Sequence, residues 1–430
     1  MPISRTDLTS DMDMLYLDHS RVEGKSDRFI KVLTFVMGTV SSMASIRIPL
    51  GEDSSMTLFT SLFILLVFYC MVTSKGKLHI PHNKDNHISL LNFYFFLVIV
   101  SSLVGVVLMP GNWAHASLSG LISDLFGIIG IYYFTSAKQK QMILKPYFKG
   151  LLCCAVIQLI WSFFQVLYFE LRYSSLNKDL GLYHASATAR DLGDVVAGIG
   201  WERAQLCTAL LVGFCLCKNR FLKIAFAVMT IATGSRTCFV MLLCILLFSV
   251  DYGEWLKKLH KISIGGILFF LGCILLLGIW GSNLADGVMH ILERFADAPT
   301  EGSGMAHIWY YAIVPSIIER TDLIHLFLGF GNGCSGYPYS AFFLRNTKLD
   351  TWSVESGTLS LLWDFGVIAW IIFWGWFLSL IHSAFHYKTK LRGFLLAVPI
   401  CSLGYTLLLN WVILAFILEE YAINHDQNEI

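Results

Sequence analysis

FLKIAFAVMTIATGSRTCFVMLLCILLFSV, residues 221–250, is an apolar run with an arginine, Arg236, at its middle. An arginine at the centre of a helix in lipid costs about 2.5–3.5 kcal/mol, so an unpartnered guanidinium there needs a reason. A turn supplies it. If Gly234-Ser235-Arg236 is the tip of a hairpin between two short tilted helices, the guanidinium lies at the membrane surface, aimed at whatever anion comes there. The bland alternative is an arginine snorkelling to lipid phosphate.

Working outward, apolar runs recur along nearly the whole chain of 430 residues, of which 56% are hydrophobic and 14% charged. Stretches of about 17–25 such residues cross the hydrocarbon core, and in lipid each helix must satisfy its own backbone polar groups. The pattern predicts an all-α, polytopic transmembrane bundle. Spans are expected near 29–50, 56–74, 88–109, 117–136, 149–170, 197–217, 221–233, 237–250, 262–281, 357–381 and 393–418. The last run has a possible break at Gly404-Tyr405, so the count is eleven or twelve. The expected divisions are a polar cytoplasmic N-terminal tail (1–28) without a signal peptide, a bundle (29–281), a large external loop (282–356), C-terminal spans (357–418) and an acidic tail (419–430). A net charge of +1 with no basic face excludes a general affinity for nucleic acid.

Lysine and arginine crowd alternate short loops, as the positive-inside rule requires. Lys75, Lys77 and Lys84 occupy one; Lys138, Lys140, Lys145 and Lys149 the next; then Lys218, Arg220 and Lys223, then Lys257, Lys258 and Lys261, then Lys388, Lys390 and Arg392. The opposite side receives the 110–115 turn and two long segments, 171–196 and 282–356. Structureless loops above about 12–15 residues are uncommon unless functional or disordered, and apolar stretches at 308–318 and 323–330 predict short amphipathic helices over the membrane face. The chemistry is therefore expected on the outside, without ATP.

The external ends carry arginines and carboxylates. Arg190, Glu202 and Arg203 stand in ARDLGDVVAGIGWERAQL, Arg236 heads the hairpin, and Glu355 opens the tenth span in DTWSVESGTLSLLWDFG. Arginine binds phosphate oxygens through a planar fork and stays charged at any working pH, which suits it to hold a diphosphate. A carboxylate near an incoming hydroxyl can take its proton, a contribution of about 10²–10⁴-fold. Glu355 is the first candidate base and Glu202, kept ionised by Arg203, the second. Structural roles compete with these. Glu355 also suits a helix start with Ser353 as N-cap, and Glu202 and Arg203 could simply pair within the bundle. Asp124, in the middle of the fourth span, is expected either to pair with an arginine or to relay protons in a transporter. GFGNG at 329–333 lacks the strand and helix lysine of a phosphate loop and reads as a flexible turn. His184, His290, His307 and His325 are scattered without ligand spacing, so no metal and no cofactor are expected. The cysteines read as core packing, with Cys334 alone in a long polar loop.

These pieces together resemble the O-antigen polymerase and ligase superfamily over roughly Arg190 to the end of the tenth span. The features carrying it are a hairpin bearing Ser235-Arg236, a long external loop with LFLGFGNG, and a helix running to a spaced glycine, Gly366. The ligase branch has a histidine, ten residues and a glycine at the tenth span. Here Glu355 stands at the histidine position, with Leu359 and Leu362 on the apolar positions, and the carboxylate before Ser356-Gly357 is similar to the polymerase branch. GWERAQL resembles the Glu-Pro-Ser region of polysaccharide polymerases, with Arg203 in place of the proline. His307 in MAHIWYYA stands where an arginine is usual. The resemblance implies a metal-independent glycosyltransferase of a bacterial inner membrane with its site facing the periplasm. It would move a growing glycan from an undecaprenyl diphosphate carrier to another carrier-linked repeat unit, both within the lipid and in concert with a chain-length regulator protein. Arg190, Arg203 and Arg236 would hold diphosphate and Glu355 would be the base. A ligase acting on lipid A core, or a flippase of lipid-linked sugars, is the alternative.

Overall fold

The computed structural model describes residues 25–43, 47–49, 55–73, 86–134, 137–167, 199, 203–233, 235–249, 308–342, 354, 356–386 and 392–403. Among these the helices are α1 (Lys25–Thr39), α2 (Leu58–Thr73), α3 (Asn86–Leu108), α4 (Asn112–Phe134), α5 (Ala137–Leu167), α6 (Arg203–Leu216), α7 (Arg220–Ala232), α8 (Arg236–Ser249), α9 (Val314–Arg320), α10 (Leu323–Leu328), α11 (Tyr337–Phe342), α12 (Gly357–His386) and α13 (Arg392–Ser402). Four segments, Ser89–Leu108, Asn112–Tyr133, Lys145–Gln165 and Gly357–His386, are long and apolar enough to cross a membrane. The protein is an all-α membrane bundle. The expected 29–50 span ends early. α1 stops at Thr39, and β1 (Arg47–Pro49) pairs antiparallel with β2 (Ser55–Thr57) in the register Arg47↔Thr57. The expected span at 262–281 and the chain beyond Leu403 lie outside the described residues.

The hairpin expected from Arg236 is present. α7 and α8 have 13 and 14 residues. At 1.5 Å per residue each is about 20 Å long, short of a hydrocarbon core of about 30 Å. Asn219 caps α7, its Oδ1 accepting the Phe221 amide at 2.9 Å. Ser235 starts α8: its carbonyl accepts the Phe239 amide at 3.0 Å and its Oγ accepts the Cys238 amide at 3.5 Å. Arg236 is therefore the first helical residue, half-buried at the tip. α8 then runs antiparallel to α13. Gly393 permits the close crossing, because a Cβ there would lie 2.6 Å from the Cys244 carbonyl oxygen. Small residues let helices approach where lipid offers no hydrophobic drive.

α12 is broken rather than continuous. Gly366 has φ 79° and ψ 172°, so the helix ladder lapses there. Backbone carbonyls freed in lipid must find donors nearby. They find the glycine loop: Trp363 O accepts the Phe330 amide at 2.8 Å, and Asp364 O accepts the Gly331 amide at 2.9 Å together with the Ser101 hydroxyl of α3. Gly329, Gly331 and Gly333 all have positive φ, of 82°, 97° and 83°, which side-chain-bearing residues rarely adopt. GFGNG is thus not the flexible turn expected for it. It is a fixed plug seated among α3, α4 and α12.

Candidate functional site

Three helix starts gather at one end of the bundle. The Cys207 thiol, one turn into α6, meets Thr233 Oγ1 at 3.1 Å, which brings the opening of α6 beside the hairpin tip. Cys207 also lies beside Cys238, the third residue of α8. On the other flank of the tip, Cys401 Sγ donates to Thr237 O at 3.5 Å, joining the end of α13 to the start of α8. The end of α13 holds the start of α12 in turn: Ser356 Oγ donates to Ser402 O at 3.1 Å, and the Thr358 and Ser402 hydroxyls lie 3.0 Å apart.

Arg203 is the first residue of α6 and Arg236 the first of α8. The positive end of a helix macrodipole disfavours a cation there and favours an anion, each by about 0.3–1 kcal/mol. An anion added at either helix start would gain from the dipole, and at α8 from the Arg236 guanidinium as well.

Ser356, not Ser353, caps α12: its carbonyl accepts the Ser360 amide at 2.8 Å and its Oγ accepts the Leu359 amide at 3.3 Å. Tyr311, on a helical turn at 308–312, brings its hydroxyl within 2.7 Å of Ser356 Oγ. Beside it Tyr310 and Tyr339 stack edge to face with centroids 5.2 Å apart, and the Trp363 indole donates to Tyr339 Oη at 3.0 Å. Burial pushes the Tyr339 phenol up, only partly offset by that indole. This aromatic cluster ties the turns within 308–342 to the part of α12 that precedes Gly366.

The glycine plug rests on two buried carboxylates. Asp364 Oδ1 accepts the Cys334 amide at 2.9 Å, and the Gly333 and Ser335 amides also point to that carboxylate. Asn332 Nδ2 donates to Asp124 Oδ2 at 2.8 Å, with the Ser102 hydroxyl at 3.5 Å. Among the described residues Asp124 thus has an amide and a hydroxyl for partners, and no arginine. Cys334 Sγ donates to Trp113 O at 3.3 Å, and burial, with the Asp364 charge adding to it, pushes that thiol up to about 12.

Of the residues singled out in the sequence, Arg236 lies at the convergence, and Arg203 contributes its backbone there; its side chain, Glu202, Glu355 and Arg190 lie outside the described residues. Val354 and Ser356, which flank Glu355, are both buried. His325 accompanies Asp322, with Nδ1 at 2.6 Å from Oδ2, and among the described residues no three potential metal ligands cluster. Tyr311 stands out in the sequence only as one of several aromatics suited to stack on sugar rings or to sit at a membrane interface, and Ser356, Asp364 and Asn332 do not stand out there. The Ser-Gly step at 356–357 and the alternate glycines at 329–333 were the available signals. Neither the protein-family models scanned nor the curated proteins searched return a match to this chain.

Proposed function

We propose that the protein is a membrane-embedded glycosyltransferase of the polysaccharide-polymerase type. The observation that carries the reading is the meeting of the Arg203 and Arg236 helix starts with the Ser356-capped start of α12, through Cys207–Thr233, Cys401–Thr237 and Ser356–Ser402. Two cationic groups at two positive helix ends favour a polyanion such as a lipid diphosphate. The residue preceding Ser356 is Glu355, the one carboxylate that the sequence places beside that third start.

In this reading the diphosphate of an undecaprenyl-linked glycan is held by Arg236 and Arg203, with Arg190 as a third cation. A hydroxyl of the acceptor repeat unit attacks the anomeric carbon of the donor sugar. Its proton passes to Glu355, or to Glu202 as second choice, while the bond from carbon to diphosphate oxygen breaks and the electron pair leaves with the diphosphate. Charge neutralisation of the leaving group is the main demand, which fixed guanidinium groups meet without reorganisation. No metal or nucleotide is required by this scheme. The membrane would be a bacterial inner membrane, with the site on its periplasmic face and a chain-length regulator as partner.

The test is reconstitution of the purified full-length protein with undecaprenyl diphosphate-linked repeat units, without metal or nucleotide. A ladder of extended products supports the reading. Transfer only to lipid A core points instead to a ligase, and translocation without product to a flippase; either removes it. Arg236→Ala and Glu355→Gln are each expected to abolish extension while the protein still inserts.

A further inference from the structure

Tyr311 has no part in the scheme above, yet its hydroxyl is the hub of the convergence. It donates to Leu403 O at 2.8 Å and meets Ser356 Oγ at 2.7 Å. Ser356 Oγ itself donates to Ser402 O at 3.1 Å. The two hydroxyls carry one proton each, and three oxygen contacts draw on them. Two of the three are filled at a time. One phenol thereby joins the external turn, the start of α12 and the end of α13, and the end of α13 touches the hairpin tip through Cys401 and Thr237.

We infer that Tyr311 is a positioning residue for transfer: through Ser356 and the end of α13 it fixes the start of α12 in register with the arginine-bearing hairpin tip. The inference rests on the glycosyltransferase reading. The hydroxyl and the ring have separable tasks. The ring packs beside the buried aromatic cluster that includes Tyr310 and Trp363, whereas only the hydroxyl reaches Ser356 and Leu403. Burial pushes the phenol up, and the Ser356 bond offsets this only in part, so it acts as a neutral donor and not as the base.

The experiment compares purified full-length wild type, Tyr311→Phe, Ser356→Ala and Ser356→Thr, reconstituted with carrier-linked repeat units. kcat and KM for chain extension are measured beside binding of undecaprenyl diphosphate and the thermal unfolding midpoint in detergent. Small misplacements of reacting groups cost up to about 100-fold in rate, so Tyr311→Phe and Ser356→Ala are expected to lose about tenfold or more in kcat. KM and diphosphate binding should stay near wild type in both, since uniform binding is untouched, and so should the unfolding midpoint of Tyr311→Phe; Ser356→Ala also loses the cap of α12 and should unfold at a lower midpoint. Ser356→Thr keeps a hydroxyl and should recover most of the rate. A Tyr311→Phe protein with wild-type kcat removes the inference, as does one whose binding, midpoint and rate fall together. A wild type that extends no chain removes the reading and the inference with it; a wild type that extends chains beside an equally fast Tyr311→Phe removes the inference alone.

Discussion

Gly329 and Gly366 face each other across the break in α12, and neither has room for a side chain. A Cβ on Gly329 would lie 2.3 Å from the Asp364 carbonyl oxygen, and one on Gly366 would lie 2.3 Å from the Phe327 carbonyl oxygen. Both residues also have positive φ. The close approach is what lets the Phe330 and Gly331 amides reach the carbonyls that the break releases. A helix interruption at membrane depth is tolerable only when such donors are supplied from within the protein.

Gly366→Ala should therefore destabilise the fold through both strain and collision. Unfavourable backbone regions cost about 1–3 kcal/mol on their own, and here the obstructing atom is backbone rather than a flexible side chain. A lower unfolding midpoint in detergent is the expected result. Gly375→Ala, on the same helix with nothing within 4 Å of its would-be Cβ, is the control and should be neutral or slightly stabilising.

Asn332 and Asp124 should behave as a coupled pair. Among the described residues, Asn332→Leu leaves the buried Asp124 carboxylate with only the distant Ser102 hydroxyl, a loss of about 1–3 kcal/mol. Removing both partners with Asp124→Leu should cost less than the sum of the single changes, with a coupling of about 0.5–3 kcal/mol. A double-mutant cycle on equilibrium unfolding measures this. Strict additivity would mean that the 2.8 Å bond contributes nothing.

The hairpin is legible because a charge stands in the middle of a long apolar run, and the cost of burying Arg236 forces a turn at one place. Its neighbours were not legible in the same way. The contacts that gather the helix starts are made by Cys207, Thr233, Cys401 and Ser402, small groups inside apolar helices with no periodic signature. The glycine plug is hidden for another reason. Its spacing invites comparison with a phosphate loop, although glycines at alternate positions equally serve three positive-φ residues. Its anchors are far away in sequence, 208 residues from Asn332 to Asp124 and 30 from Cys334 to Asp364, and only the packed bundle brings them together.

Arg236→Lys separates charge from shape at the proposed anion site. Lysine keeps the positive charge but loses the planar fork that engages two oxygens at once, and charge-assisted hydrogen bonds are worth about 1.5–3 kcal/mol each. Extension activity should fall by about tenfold or more, with 1.4 kcal/mol per decade, yet remain above that of Arg236→Ala. Equal activity of the lysine variant and wild type would show that only a point charge is needed.

Cys334 reports whether the plug is seated. It is buried, its amide is held by Asp364 Oδ1 and its thiol donates to Trp113 O. Desolvation, with the Asp364 charge adding to it, raises the thiol to about 12, far above the working range, so at pH 8 it is protonated and unreactive as well as inaccessible. In the unfolded chain a cysteine ionises near about 8.5, so labelling there rises as pH passes through 8, whereas in the folded protein it should stay flat to well above pH 9. Maleimide labelling of Cys334, read by mass spectrometry of its peptide, should be absent in folded wild type. It should appear in Asp364→Ala, where the loop amides lose their acceptor, and in Gly366→Ala, while the buried Cys207 beside Thr233 stays protected in both. Protection of Cys334 in those variants would mean that the plug is held by contacts other than the broken helix.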